Sequence, residues 1–271
     1  MSDTGLGIAA GAVFDRLAPS YDRDFTGSLI GRAQRNAVWK VLLKTFHPKD
    51  SILELNCGTG EDAFFLARND ISVFACDASQ QMIARANQRL NVSSPPHLVA
   101  FCHLPTERIA ELDPAIGWDG VFSNFSGLNC IEDLKPVATS LAKLVKPGGH
   151  LLLCLSTRLC LMEILYYLSQ GQVRKAFRRC KGHNIAHLND VPLPVYYPTL
   201  RTLRRSFAPH FKLRSHTGVG VAIPPSYLEP WAQRHPCVFR LLCRSETLFA
   251  NLPFLRTTGD HILLCFEKVT P

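Results

Sequence analysis

Ser51-Ile-Leu-Glu-Leu-Asn-Cys-Gly-Thr-Gly-Glu-Asp-Ala-Phe-Phe-Leu-Ala67 combines three local signals in one short stretch. The apolar run from Ile52 to Leu55 predicts a buried strand, and Gly58-Thr-Gly60 predicts a turn. A helical pattern begins at Glu61. Glycine lets the backbone approach a ligand closely, and a helix N-terminus presents free N–H groups to an anion. The stretch therefore predicts an α/β fold with a nucleotide-type binding corner.

Acidic side chains around this corner narrow the choice of ligand. Glu54 lies near the strand end, and Glu61 and Asp62 fill the first helical turn. These carboxylates would repel a diphosphate, whereas they suit a ligand with cationic groups and one carboxylate. S-adenosylmethionine (SAM) carries an ammonium, a sulfonium and an α-carboxylate, and is the favoured hypothesis. A purely structural turn is a further alternative.

A dinucleotide fingerprint is the rival interpretation of the same residues. Gly58, Gly60 and Ala63 satisfy G-x-G-x-x-G/A, and Asp77 follows Gly58 by 19 positions. This is the spacing at which such folds place the acid that binds a ribose diol. Asp77 ends a second strand-like run, so we expect it to contact a ribose whether the ligand is SAM or a dinucleotide. The alternative role of Asp77 is to cap the N-terminus of the next helix.

Longer motifs favour SAM. Glu54-Leu-Asn-Cys-Gly-Thr-Gly60 resembles motif I of class I SAM-dependent methyltransferases, and Pro147-Gly-Gly149 before an apolar strand is similar to a second family motif. The resemblance covers roughly residues 14 to 156 and is nearest to the small-molecule branch that includes ubiquinone- and menaquinone-biosynthesis enzymes. It implies a Rossmann-like, seven-stranded, mostly parallel sheet in the order 3-2-1-4-5-7-6, with helices on both faces and SAM as cofactor.

The resemblance also implies which residues hold the cofactor. Phe14-Asp-x-x-Ala-x-x-Tyr21-Asp22 is similar to the family segment whose tyrosine covers the site. The acid that often follows the third strand is missing, so Leu104 or the nearby Glu107 is expected to replace it. The expected cofactor-binding residues are Tyr21, Glu54, Asn56, Cys57, Gly58, Thr59, Gly60, Asp77, Ala78, Met82, Leu104, Pro105, Asn124 and Phe125.

The chain's size and composition fit one globular domain. It has 271 residues, of which 46% are hydrophobic and 19% are charged. Ten cysteines without C-x-x-C spacing predict neither a metal site nor a disulfide framework, and a cytoplasmic location is expected. The N-terminus does not resemble a signal peptide. The apolar run from Leu151 to Leu168 is interrupted by Arg158 and Glu163, so a buried strand that runs into a helix is predicted rather than a membrane span.

The expected organisation is a single domain in four parts. Residues 1–47 form an N-terminal helical lid, and residues 48–156 form the SAM-binding core. Residues 157–210 are expected to be a cap over the substrate, inserted between the fifth and sixth strands as family members commonly have it. Residues 211–271 complete the sheet.

Positive charge is concentrated in one segment of the chain. Residues 174–214 contain ten Lys and Arg and one acid, Asp190, whereas the net charge of the whole chain is +8. A solvated helix face, an acidic substrate, an anionic membrane surface and RNA all remain as explanations. Few aromatic residues are interspersed, so stacking on a single strand is not indicated.

In-line methyl transfer to a small, partly hydrophobic acceptor is the predicted reaction. Asn124 is expected at the floor of the active site, and His183 and His187 are candidate general bases. An RNA or protein methyltransferase that uses residues 174–214 is the alternative enzyme, although the Asn-Pro-Pro-aromatic signature of amino-group methylation is absent. A SAM-binding module without catalysis is the third hypothesis. The sequence favours no particular oligomeric state.

Overall fold

A seven-stranded sheet organises the structure, a computed structural model that describes residues 4–90, 96–188 and 191–269. The strands are β1 (Ser51–Leu55), β2 (Ser72–Asp77), β3 (Val99–His103), β4 (Trp118–Ser123), β5 (Val145–Ser156), β6 (His183–Leu188), β7 (Val191–Tyr196), β8 (Phe211–Val219) and β9 (His261–Lys268). The sheet order is β3-β2-β1-β4-β5-β9-β8, and β6 and β7 form a separate hairpin. Strands β1 to β5 pair in parallel, whereas β9 runs antiparallel to both β5 and β8. The predicted fold is therefore confirmed, with β8 and β9 in the sixth and seventh places.

Ten α-helices accompany this sheet in the described part of the chain. They are α1 (Thr4–Tyr21), α2 (Leu29–Thr45), α3 (Glu61–Ala67), α4 (Gln80–Leu90), α5 (Lys135–Leu144), α6 (Leu161–Ser169), α7 (Val173–Ala176), α8 (Leu200–Phe207), α9 (Glu229–Arg234) and α10 (Pro236–Phe249). A π-helical turn, Asp22–Thr26, joins α1 to α2. Such turns often occur at functional sites.

The alternation of side chains along β1 divides the core into two layers. Leu53 packs with α5 and α8 on one face, and Ile52 packs with α2 and α3 on the other. Parallel strands covered on both faces need apolar residues in succession, which explains the uninterrupted run at Ile52 and Leu53. Val38 and Leu42 make α2 part of this core, so only α1 remains as the expected N-terminal lid.

The segment between β5 and β8 departs from the expected boundaries. Leu203 and Phe207 of α8 lie in the sheet core, so the expected cap narrows to residues 157–199. Its β6–β7 hairpin packs through Leu193 on Ala10 and Val13 of α1. Asp190 lies outside the described residues. Within the described ranges, the helices are too short or too polar to cross a bilayer.

Candidate functional site

The glycine corner after β1 has the backbone that its sequence predicts. Asn56, Gly58 and Gly60 have φ values of 55°, 55° and 79°, in the left-handed region that glycine adopts most easily and asparagine tolerates. A methyl group on Gly60 would approach the Phe101 ring to 2.6 Å, so close packing also requires glycine there. A methyl group on Gly58 would meet only Tyr21, at 3.7 Å. Gly60 therefore serves packing, whereas Gly58 leaves space beside Tyr21.

Asp77 connects the corner to the end of β2. Its carboxylate accepts hydrogen bonds from the backbone N–H groups of Gly58 and Ser79, both at 2.8 Å. Burial raises the pKa of Asp77 above its ordinary value, although these two hydrogen bonds act in the opposite direction. Each carboxylate oxygen has a second lone pair, so Asp77 retains acceptor capacity for hydroxyl donors.

A cleft opens beside Asp77, at the carboxyl ends of β1 and β4. Of the expected cofactor-binding residues, it contains Tyr21, Asn56, Gly58, Asp77, Ala78, Met82, Asn124 and Phe125. Cys57 and Thr59 line a smaller recess that adjoins the cleft. Glu107 also lines the cleft, as expected for a replacement of the missing acid. Glu54, Gly60, Leu104 and Pro105 are also expected to bind the cofactor, but they line neither the cleft nor the recess.

Two arginines neutralise the acids of the first turn of α3. Arg35 of α2 forms a buried ion pair with Asp62, which also accepts hydrogen bonds from Trp39 (2.6 Å) and Asn124 (3.0 Å). Arg89 of α4 forms a partly exposed ion pair with Glu61. Glu61 and Asp62 line the smaller recess but do not present their full negative charge to a ligand, because they pair with these two arginines, which the sequence argument did not include. The Glu54 Oε2 is buried without a hydrogen-bond partner among the described residues.

The Arg35 guanidinium is the largest feature of the site that the sequence analysis missed. It lies 5.8 Å from the Phe25 ring centroid and 5.0 Å from that of Phe125, and it lines the smaller recess. Its Nε is buried without a partner among the residues described. Its partner Asp62 lies 27 positions away, and no short motif signals such a pair.

Helix α1 closes one side of the cleft and is held there by two acids. Asp15 accepts hydrogen bonds from the Ser79 hydroxyl (2.6 Å) and the Gln81 N–H (2.9 Å). Asp22 accepts a hydrogen bond from the Thr59 hydroxyl at 2.6 Å. Burial raises the pKa of Tyr21 to about 12, so its phenol stays neutral near pH 7. The two aspartates of the Phe14–Asp22 segment thus fasten Tyr21 over the corner.

The turn after β4 forms the opposite wall. Phe125 and Ser126 have φ values of 46° and 69°, an uncommon conformation for residues other than glycine. The Phe125 N–H donates to the Asn124 side chain, and its ring meets Phe25 edge-on with centroids 4.9 Å apart. Strained backbone of this kind concentrates at ligand sites.

His261 is a second residue that the sequence analysis missed. It begins β9, its ring lies 5.4 Å from that of Phe125, and its Nδ1 is 3.6 Å from the Asp260 carboxylate. Burial lowers the pKa of His261 and Arg179 acts in the same direction, against the effect of Asp260. The imidazole behind Phe125 is therefore neutral at pH 7.

The two candidate catalytic histidines lie elsewhere. His183 and His187 occupy alternate positions of β6, and both side chains are exposed on the outer face of the β6–β7 hairpin. Neither lines the cleft or the recess. Because residues two apart on a strand share a face, the register that buries Leu188 turns both histidines to solvent. The prediction that one of them contacts the acceptor is not supported by this placement.

Comparisons with known proteins agree with the fold and the corner. Residues 53–151 match the family described as a methyltransferase domain. An uncharacterized methyltransferase of Mycobacterium bovis is 30% identical over 165 residues, which cover 61% of this chain and 74% of that protein. Haemonchus contortus phosphoethanolamine N-methyltransferase 2 in complex with SAM has a TM-score of 0.57 at 16% identity, covering 95% of this chain and 57% of that one.

Two further relatives act on different acceptors. The Escherichia coli tRNA 5-carboxymethoxyuridine methyltransferase is 26% identical over 51% of this chain and 54% of its own. The demethylmenaquinone methyltransferase of Clavibacter sepedonicus is 30% identical over 53% of this chain and 56% of its own. The chain thus spans about half the length of these two curated relatives. Together with the sheet order and the Asp77 corner, the matches show that this chain belongs to the SAM-dependent methyltransferases.

Proposed function

We propose that this chain transfers a methyl group from SAM to a small, partly hydrophobic acceptor by in-line displacement. The observation that carries the proposal is the position of Asp77. Its buried carboxylate, already fixed by Gly58 and Ser79, lies at the edge of the cleft. Two adjacent hydroxyls of a ribose would meet its remaining lone pairs.

The unsatisfied groups around the corner suit the rest of the cofactor. The Arg35 Nε and the Glu54 Oε2 are both buried without partners among the described residues. Burial, followed by the charge of Asp62, raises the pKa of Glu54 well above its ordinary value. A carboxylate in the recess would give the Arg35 Nε an acceptor, since buried polar groups without partners are costly. Glu54 does not line the recess, so an ammonium there would act on it through charge rather than by a hydrogen bond. An amino-acid moiety is therefore the proposed occupant of the smaller recess.

Positioning is the proposed contribution of the protein to the reaction. When bound, SAM supplies a methyl carbon that is activated by its sulfonium. Phe125, Tyr21 and Phe25 pack around the mouth of the recess, where they would exclude water and orient the acceptor. Correct orientation contributes on the order of 7–11 kcal/mol in favourable reactions. The neutral Tyr21 phenol would donate a hydrogen bond rather than accept the acceptor's proton.

The walls of the cleft favour a small acceptor with apolar parts. Phe14, Phe125 and Ile131 line it, and the hairpin of the proposed cap supports α1 from outside. One relative is a demethylmenaquinone methyltransferase, so a quinol is the first acceptor to test. The experiment is transfer of a labelled methyl group from SAM to separated small-molecule, lipid, RNA and protein pools. We expect label in a small-molecule or lipid pool, and label in RNA or protein alone would contradict the proposal.

A groove on α8 favours tRNA as a second candidate acceptor. Arg201, Arg204 and Arg205 line it, and all three are exposed. One relative methylates tRNA. If tRNA is the acceptor, its affinity should fall steeply with salt, and Arg201→Gln with Arg205→Gln should reduce the salt slope by about two. If tRNA binds weakly and its affinity does not change with these substitutions, tRNA is excluded as the acceptor and the small-molecule proposal stands.

A further inference from the structure

Helix α6 of the proposed cap has its apolar face turned to solvent. Leu161, Leu165 and Leu168 follow one another at helical spacing and share one face. All three are exposed, Leu165 by 54%. Glu163 on the inner face is 1% exposed. An ordinary surface helix has the opposite arrangement, so this face is suited to contact something other than water.

Neighbouring side chains enlarge the exposed apolar surface. Tyr166 is 37% exposed, and Val173 and Phe177 at the two ends of α7 are 57% and 44% exposed. The Leu161 N–H donates to the Thr258 carbonyl, which fastens the first turn of α6 to the segment that carries Phe254, 89% exposed. We call the exposed residues 161, 165, 166, 168, 173 and 177 the cap patch.

Cations lie directly beside the cap patch. Lys175 and Arg178 are 5.8 Å and 5.7 Å from the ring centroid of Tyr167, which itself packs on Tyr166 and Tyr227. Aromatic rings with basic chains beside them are typical of surfaces that sit at a lipid–water boundary.

The same region presents no competing negative charge at its surface. Residues 157–188 contain six Lys and Arg and a single acid, Glu163. That acid is buried, where it pairs with Arg178 and Arg179 at 2.9 Å and 2.6 Å. Arg174, Lys175 and Lys181 therefore remain exposed without an acid from this segment to offset them. The surface combines apolar side chains with net positive charge.

We propose that the cap patch docks on an anionic lipid bilayer. Leu165, Leu168 and Val173 would enter the headgroup region while Arg174 and Lys175 contact anionic headgroups. RNA would match the cations but would leave the aliphatic side chains in water. The proposal goes beyond the methyl transfer proposed above and does not depend on it, because binding is measured without cofactor or acceptor.

Vesicle co-sedimentation tests the proposal with the full chain. The probes are vesicles of phosphatidylcholine alone and of phosphatidylcholine with about a third phosphatidylglycerol. We expect binding to the anionic vesicles that weakens as salt increases, and at least tenfold weaker binding to the neutral ones. Leu165→Gln with Leu168→Gln should lower the affinity at least tenfold, and Arg174→Gln with Lys175→Gln should remove most of the salt dependence.

A matched control separates the cap patch from exposed apolar residues in general. Leu43 and Ile116 are 42% and 54% exposed. They precede β1 and β4, near the amino ends of these strands, whereas α6 follows the carboxyl end of β5. Leu43→Gln with Ile116→Gln should bind vesicles like the unaltered chain. Equal binding by the Leu165/Leu168 variant would overturn the proposal. So would binding of tRNA but not vesicles, or a dimer in sedimentation velocity that the Leu165/Leu168 variant dissociates.

Discussion

The glycine corner and the cap both pair acidic side chains with arginines, but they differ in how much of the arrangement the sequence indicates. In the corner, Asp62 and Glu61 belong to a helix start that the sequence marks clearly, and arginines from α2 and α4 neutralise them. In the cap, α6 directs Glu163 inward to Arg178 and Arg179 and exposes its leucines. In the corner, the strand–turn–helix motif can be identified from the sequence, but the arginines that pair with its acids cannot. The cap shows that helical periodicity gives a face but not the direction in which it points.

The largest expected effect is on the buried charges of the cap. Arg179 is buried and pairs with both Glu163 (2.6 Å) and Asp260 (2.8 Å), so Arg179→Met would leave the buried Asp260 without its arginine and Glu163 with Arg178 alone. We expect a loss of about 3–5 kcal/mol in the free energy of unfolding by urea. Arg178→Met is the matched control, since Arg178 also pairs with Glu163 but is one-third exposed (33%). It should cost about 1 kcal/mol or less, and equal losses would show that burial does not distinguish the two pairs.

Close packing of the corner predicts the next largest effect. Gly60 and Gly148 have similar φ values, 79° and 75°, but a methyl group meets Phe101 only at Gly60. Gly148→Ala adds left-handed strain alone, which costs about 1 kcal/mol. Gly60→Ala adds a steric clash and should cost about 2–4 kcal/mol in the same unfolding measurement. Equal costs would mean that the corner is held less tightly than the distances indicate.

Lowering the pH is expected to reduce the free energy of unfolding through His261, the first residue of β9. Its pKa is lowered in the folded state, so below about pH 6.5 the unfolded chain binds a proton that the folded chain does not. The contribution of neutral His261 to the free energy of unfolding is therefore fully present above about pH 6.5. It decreases as the pH falls, by at most about 1.4 kcal/mol per pH unit. His261→Gln should show a smaller drop in unfolding free energy between pH 7.5 and 5.5. An unchanged drop would show that His261 titrates normally.

The smallest effect is expected on the outer face of the hairpin. His183 and His187 are exposed there and lie away from the cleft. His183→Ala and His187→Ala should therefore leave methyl-transfer turnover within about twofold, because neither removes a group that faces the acceptor. A hundredfold loss in either variant would restore that histidine as a catalytic base.

The fold could be predicted because its signals are local. The strand–turn–helix succession at residues 51–67, the acid at the end of β2 and the Pro147–Gly149 turn each lie within a few residues of the structure they specify. Asp77, Gly58 and Tyr21 come together as expected because the sheet order brings the carboxyl ends of β1 and β2 side by side.

The remaining features depend on contacts between distant residues. The ion pair between Arg35 and Asp62 forms only after the chain has folded. The same is true of the pairs that Arg179 makes with Glu163 and Asp260. No short sequence motif predicts these contacts. The apolar run ending at Leu168 is predicted to be a buried strand that runs into a helix, and the structure adds that Leu161, Leu165 and Leu168 of this helix are exposed. The apolar pattern of a helix does not tell whether its leucines face the core or the solvent. In α6 the side that faces inward is the one with Glu163, because Arg178 and Arg179 pair with it there.

Calorimetric titration with S-adenosylhomocysteine, comparing the unaltered chain with Asp77→Ala, tests the central claim most directly. If Asp77 holds the ribose of the cofactor, the substitution should weaken binding by about 1–3 kcal/mol, the cost of leaving buried hydroxyls without an acceptor. Unchanged affinity, or tighter binding of a nicotinamide or flavin dinucleotide than of S-adenosylhomocysteine, would contradict the assignment.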